Sequence, residues 1–155
     1  MLASDVMTTE IRTLDPETRV RDALEDFWSG RLFEAPVTEN GRIVGMLNLR
    51  HLIRQALPGY LLEEEMGDVS FAPDLEQVAR RACEEGDKRV RDMMLTRFRT
   101  VRQDTALFAV ATKLLKEDTK EAQHVAVVDG QGQLLGLVSE WEILRHIYQD
   151  VCGRD

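Results

Sequence analysis

Apolar positions along this chain change period in a fixed order, and they do so twice. Ile11 to Leu14 and Phe98 to Val101 alternate apolar and polar residues, the period of a short strand with one buried face. A helical stripe follows each. Val20, Ala23, Leu24, Phe27 and Trp28 fall at i, i+3, i+4, i+7 and i+8, and Leu107, Val110, Ala111, Leu114 and Leu115 repeat that spacing. Thr18 and Thr105 are placed to cap the two helices, where a side-chain oxygen can accept from an unpaired amide. Two apolar runs then flank a turn. Pro36 to Thr38 and Ile43 to Leu47 enclose Asn40-Gly41, a hairpin signal because both residues tolerate positive φ; Val125 to Asp129 and Leu134 to Val138 enclose Gly130-Gln131-Gly132. Each half closes on a second helical stripe, Leu49, Leu52, Ile53, Ala56 and Leu57 in one and Ile143, Leu144 and Ile147 in the other. The predicted unit is β-α-β-β-α, written twice.

The repetition extends to individual residues. Ser4 to Leu14 aligns with Arg91 to Val101 at an offset of 87, sharing Asp-apolar-Met and then apolar-Arg-Thr-apolar. The offset grows to 90 at the next strand and to 91 where Gly45 to Ile53 (GMLNLRHLI) meets Gly136 to Leu144 (GLVSEWEIL). Repeats are thus expected over 1–57 and 89–152, joined by a connection over 58–88. That connection opens on Pro58-Gly59, carries the acidic run Glu63-Glu64-Glu65, and predicts a helix from Pro73 to Glu85 with Gly86 as its C-terminal cap. Leu75, Val78, Ala79, Ala82 and Cys83 form that helix's stripe, so Cys83 is expected to be a buried free thiol.

Composition narrows the function. The chain has 155 residues, 43% hydrophobic and 31% charged, enough apolar material for a core. Its net charge of −8 argues against affinity drawn from neutralising nucleic-acid phosphates. The start is acidic, without the basic and apolar run of a secretory signal, and no stretch approaches the roughly 20 apolar residues of a membrane span. A soluble cytoplasmic protein is expected, with neither nucleic acid nor membrane as partner. Cys83 and Cys152 have no metal-site spacing, nor have His51, His124 and His146, and no nucleophile comes with a recognisable base or Walker-type loop. No catalytic residue and no required cofactor is expected.

Asp5-Val6-Met7-Thr8, Ala35-Pro36-Val37, Asn40-Gly41-Arg42-Ile43-Val44-Gly45 and Gly136-Leu137-Val138-Ser139, in duplicated order, resemble the CBS domain (cystathionine-β-synthase type). The resemblance covers nearly the whole chain outside the connection. It implies an α+β fold in which two β-α-β-β-α repeats pack sheet to sheet about a pseudo-twofold axis, with a helical connection between them. It also implies two clefts between the repeats and a disk-like homodimer. Many members hold AMP, ADP, ATP or S-adenosylmethionine in those clefts and regulate another protein. In such members the Asp of G-x-x-[ST]-x-x-D holds the ribose, the preceding Ser or Thr reaches phosphate, and the adenine lies against the other repeat.

Carried over, this makes Ser139 and Glu142 the ligand pair of one cleft, with Ser4, Met7, Thr8, Thr9, Leu32 and Phe33 around the base. Glu142 has two acceptor oxygens for a ribose diol, although its extra methylene sets them further out than an Asp would. Ser-x-x-Glu at a helix start is equally a capping box, which accounts for both residues without a ligand. The second cleft has Asn48 and His51 at the corresponding places, with Met94, Ala122 and Gln123 beside them. Neutral imidazole has one acceptor and cannot receive both ribose donors, so this cleft is expected to be the weaker. His51 is expected to be an exposed helix histidine, and Met7 and Met94 to pack in the core. Two readings follow. One is a regulatory module sensing an adenosine-type ligand. The other is a ligand-free dimerisation or interaction scaffold whose clefts are filled by side chains such as Phe33.

Overall fold

The computed structural model describes residues 1–62, 74–116 and 122–153. The acidic run Glu63-Glu64-Glu65 and Pro73 lie outside them. The first repeat comprises α1 (Ala3–Val6), α2 (Val20–Gly30), β1 (Glu34–Glu39), β2 (Arg42–Asn48) and α3 (Leu49–Ala56). After a short 3-10 turn (Gly59–Leu62), α4 (Leu75–Asp87) leads into the second repeat. This comprises α5 (Val90–Met93), β3 (Arg99–Arg102), α6 (Leu107–Leu115), β4 (Val125–Val128), β5 (Leu134–Val138) and α7 (Glu140–His146), which runs on as a π-turn over Ile147–Val151.

Both hairpins form as the turn chemistry predicts. Asn40 and Gly41 take φ of 52° and 78°, joining antiparallel β1 and β2. In the second repeat β3 adds to β4 in parallel, and β4 pairs antiparallel with β5. The strand expected over Ile11 to Leu14 does not form. It reduces to one parallel bridge, Leu14 to Val37, closed by Leu14 N–H to the Pro36 carbonyl at 2.9 Å and by Thr38 N–H to the Leu14 carbonyl at 3.0 Å. Pro16 has no amide to continue this ladder, and Asp15 turns the chain by accepting from Glu17 N–H at 2.8 Å. Its counterpart β3 is held by Arg99, whose guanidinium donates to the carbonyls of Lys113 and Leu114 at the end of α6 and of Ala122 ahead of β4. The equivalent Arg12 donates to the side chains of Asp26 and Ser29 on α2 instead.

A pseudo-twofold axis is evident in the contacts between repeats. Thr8 pairs antiparallel with Leu137, and their equivalents Leu95 and Met46 pair likewise, with four N–H to carbonyl bonds of 2.7–3.0 Å. Each hairpin is thus edged by the early segment of the other repeat. The cores exchange elements in the same way. Val90 and Met93 of α5 join Leu14, Val20, Phe27, Val37 and Leu47 of the first repeat, whereas Ala3 of α1 joins Val101, Val110, Val125 and Val138 of the second. A third cluster, with Met46, Ala126 and Leu137, lies between the sheets.

The exchange also explains the helix starts. Neither Thr18 nor Thr105 is an N-cap: α2 and α6 begin after Arg19 and Ala106, with no side-chain cap. Their first amides donate instead to backbone outside their own repeat, Val20 N–H to Lys88 O at the end of the connection at 2.9 Å and Leu107 N–H to Met1 O of the first repeat at 3.1 Å. Thr105 Oγ1 accepts from Arg102 N–H at 3.0 Å and fixes the preceding turn. The connecting helix corrects two further expectations. Cys83 is exposed, because α4 lies on the outside of α2 and α3 and most of its predicted stripe faces solvent. Gly86 lies within α4 rather than capping it; it is buried beneath Arg21, and the helix ends one residue later with Lys88 extended.

Candidate functional site

The end of β5 and the start of α7 set out the first group of residues. Ser139 is the N-cap of α7, its Oγ accepting from Trp141 N–H at 3.2 Å. Glu142 turns back on the cap: its Oε2 accepts from Ser139 N–H at 2.8 Å and from the Ser139 hydroxyl at still closer range. The capping box is therefore formed, whereas Glu142 Oε1 takes no part in it. Both residues are half-buried.

The Ser4 to Thr9 segment reaches this end from the other repeat. Thr8 pairs with Leu137, two residues before Ser139, and Met7 Sδ lies over Gly136 so closely that a Cβ there would stand 2.6 Å from it. Thr8 and Thr9 are exposed, and so is Ser4, whose N–H donates to the Gln103 carbonyl at 3.0 Å. The second group mirrors this arrangement, with Met94 Sδ 2.5 Å from the position a Cβ on Gly45 would take. Both methionines are partly buried against the cores, Met7 on that of the second repeat and Met94 on that of the first.

Around Asn48 the structure departs from the sequence reading. Asn48 caps α3, its Oδ1 accepting from His51 N–H at 3.2 Å, but its amide donates to a buried carboxylate, Glu34 Oε2, at 2.6 Å. Glu34 also accepts from Gln123 N–H at 3.0 Å and His124 N–H at 2.9 Å, and its Oε1 lies 2.9 Å from His124 Nδ1. Burial pushes the Glu34 carboxyl up, but the hydrogen bonds from His124, Asn48 and the two amides outweigh it and hold the group below the ordinary glutamate range. Burial likewise pushes His124 down, yet Glu34, with Glu142 and Glu140 further off, lifts the imidazole above its ordinary value. His51 is half-buried rather than exposed, and burial together with Arg54 lowers it, so it is neutral at neutral pH.

Leu32 and Phe33 are placed with their own repeat. Leu32 packs on the first core, and the Phe33 carbonyl accepts from Leu49 N–H at 3.0 Å, beside Asn48 rather than Ser139. The Phe33 side chain is 73% exposed, so it does not fill a cleft. Ala122 is buried with its carbonyl on Arg99, and Gln123 offers its backbone amide to Glu34. Sequence reasoning missed Glu34 and His124 altogether. One signal pointed to them: at the offset of 90 they are equivalent positions, each an ionisable residue at the start of a buried strand segment, Glu34 opening β1 and His124 just preceding β4. Among the described residues no group of three His, Cys, Asp or Glu is arranged to hold a metal ion, and no helix is long and apolar enough to cross a membrane.

Exchanged early segments and two helix-start motifs facing the partner repeat define a paired-repeat module with one motif at each end of the inter-repeat seam. The CBS-domain family model matches residues 3–57 and 90–149, and the chain belongs to that family. Among solved structures it is similar to the CBS-pair protein CBSX2 from Arabidopsis thaliana, with TM-score 0.74 and 22% identity over 99% of this chain and 98% of that one. CBSX2 in complex with AMP gives TM-score 0.72 and 24% identity over 97% and 98%. The CBS domain pair of protein MJ0100, in complex with 5′-methylthioadenosine and S-adenosyl-L-methionine, gives 0.66 and 17% over 97% and 98%. At these identities the likeness is one of fold. Comparison with curated protein sequences gave no match.

Proposed function

We propose that this chain is a regulatory module that senses an adenosine-type ligand (AMP, ADP, ATP or S-adenosylmethionine) at the start of α7. The observation that carries this reading is the crossing of Met7 and Thr8 of the other repeat over Gly136 and Leu137, directly ahead of Ser139. Glu142 Oε1, outside the cap, is an acceptor for a ribose hydroxyl, and the Ser139 end of α7 suits a phosphate or carboxylate. The Asn48 end is the less competent one, since its amide is already held by Glu34 and His51 carries no charge to offer an anion. The ligands of CBSX2 and of the MJ0100 pair support an adenosine-type compound as the first to test. The test is calorimetric titration with AMP, ATP and S-adenosylmethionine. Binding near one site per chain is expected, and Glu142→Ala should weaken it by roughly 1–3 kcal/mol, as for a lost hydrogen bond to a charged group. Absence of heat, together with an unchanged Tm at millimolar ligand, would overturn the reading.

A scaffold reading is favoured by a different observation. On α6 and α7, Phe108 is 90% exposed, Leu115 70% and Trp141 71%, an apolar set suited to a second copy of the chain. The dimer and the sensor are compatible; the scaffold alone is what remains if no ligand binds.

A further inference from the structure

On a twofold axis a residue meets its own counterpart, and two identical acids or two identical bases there would repel. Glu34 and His124 are such counterparts, and they differ in the one way that makes the contact attractive. The Glu34 side chain is fully buried, whereas that of His124 keeps a quarter of its surface in solvent, a route for protons to the imidazole. The carboxylate holds four donors from three places: Asn48 at the end of β2, the amides of Gln123 and His124 ahead of β4, and the His124 ring. The charged groups nearby are Glu140 and Glu142 on α7, both acidic and both favouring a protonated imidazole.

We propose that the Glu34–His124 contact is a proton-operated latch between the two repeats, firm while the imidazole is charged and weakened when it deprotonates. The direction follows from linkage. A histidine whose value is raised on folding adds stability that is complete below its ordinary value of 6.5 and is lost as pH rises through the folded value. A glutamate lowered on folding adds stability that is complete above its ordinary value of 4.5 and is lost as pH falls through the folded value. The latch is therefore fully set between those two ordinary values, and it loosens on the alkaline side, above the ordinary histidine value, through His124. Because it bonds Asn48 on one side and stands near Glu142 on the other, its release relaxes the seam between the two helix-start motifs without any ligand.

The first test needs no variant: NMR titration of the His124 ring in the intact protein. A midpoint above 6.5 is expected; one at or below the ordinary histidine value overturns the latch. The second compares thermal melts of the wild type and His124→Asn, which retains a donor at the place of Nδ1 but no charge. The wild type's advantage in Tm should be largest near pH 5.5 to 6 and should shrink by pH 8.5. An advantage that is constant or grows with pH overturns the proposal. Glu34→Gln should return the His124 midpoint toward 6.5, and an unmoved midpoint would show that Glu34 does not hold the proton.

Discussion

Glu34 is a carboxylate in the middle of a protein, and the donors around it depend on it as much as it depends on them. Glu34→Ala leaves Asn48, His124 and two backbone amides without their acceptor in a buried place. Urea unfolding at neutral pH should register a loss of about 3 kcal/mol, the scale for breaking a buried charged contact from one side. Glu142 invites a finer comparison, because it serves a cap and is assigned a ligand. Glu142→Gln retains the capping box, so its Tm should stay near wild type while AMP binding weakens; Glu142→Ala should lose both, with about 1 kcal/mol of stability from the cap. If Gln and Ala bind AMP as the wild type does, the carboxylate is a cap and nothing more. The capping pair was legible in sequence, since Ser-x-x-Glu is a local pattern. Glu34 with His124 was not, because their partners lie some 90 positions away and nothing local announces the meeting.

Elements here lean on the opposite repeat more than on their own caps. Gly45 and Gly136 lie where the two early segments cross the hairpins, with Met94 and Met7 against them. A methyl at Gly45 would meet Met94 Sδ at 2.5 Å and the Leu95 carbonyl at 3.0 Å; at Gly136 it would meet three atoms of Met7 at 2.6–3.0 Å. Gly45→Ala and Gly136→Ala should each cost about 1–3 kcal/mol in denaturant midpoint analysis, the Gly45 change having backbone as well as a flexible side chain to displace. By the same reasoning Thr18→Ala should be nearly silent for α2, since the amide of Val20 is satisfied by Lys88. The hairpins and the inner positions of the α2 and α6 stripes were legible because their periods are set by local geometry, whereas Trp28 and Leu115, each 70% exposed, fall outside the core that the stripes predicted. The missing first strand, the true caps and the exposed α4 were not, because Pro16, the exchanged segments and the outer position of that helix act only once distant pieces are in place.

At the scale of the molecule, the two repeats are similar in backbone and unequal in surface. Arg21 in α2 pairs with Asp87 of α4, whereas its equivalent Phe108 in α6 is open to solvent, so the connecting helix packs on one repeat's outer face and leaves the other's apolar. If that apolar face seats a second copy, sedimentation velocity should show a dimer for the wild type, and Phe108→Asp should shift it to monomer with little change in Tm; a wild-type monomer at tens of micromolar would dismiss this assembly. The sequence by itself determined the duplicated unit, the hairpins, the inner faces of α2 and α6 and the family, because periodicity, turn residues and an ordered repeat are written locally and twice. Only the tertiary structure decided that early segments exchange between repeats, that Phe33 stays outside, and that Glu34 meets His124 on the axis. Those outcomes depend on which surfaces meet when one unit folds against its own copy, and no local pattern encodes that meeting.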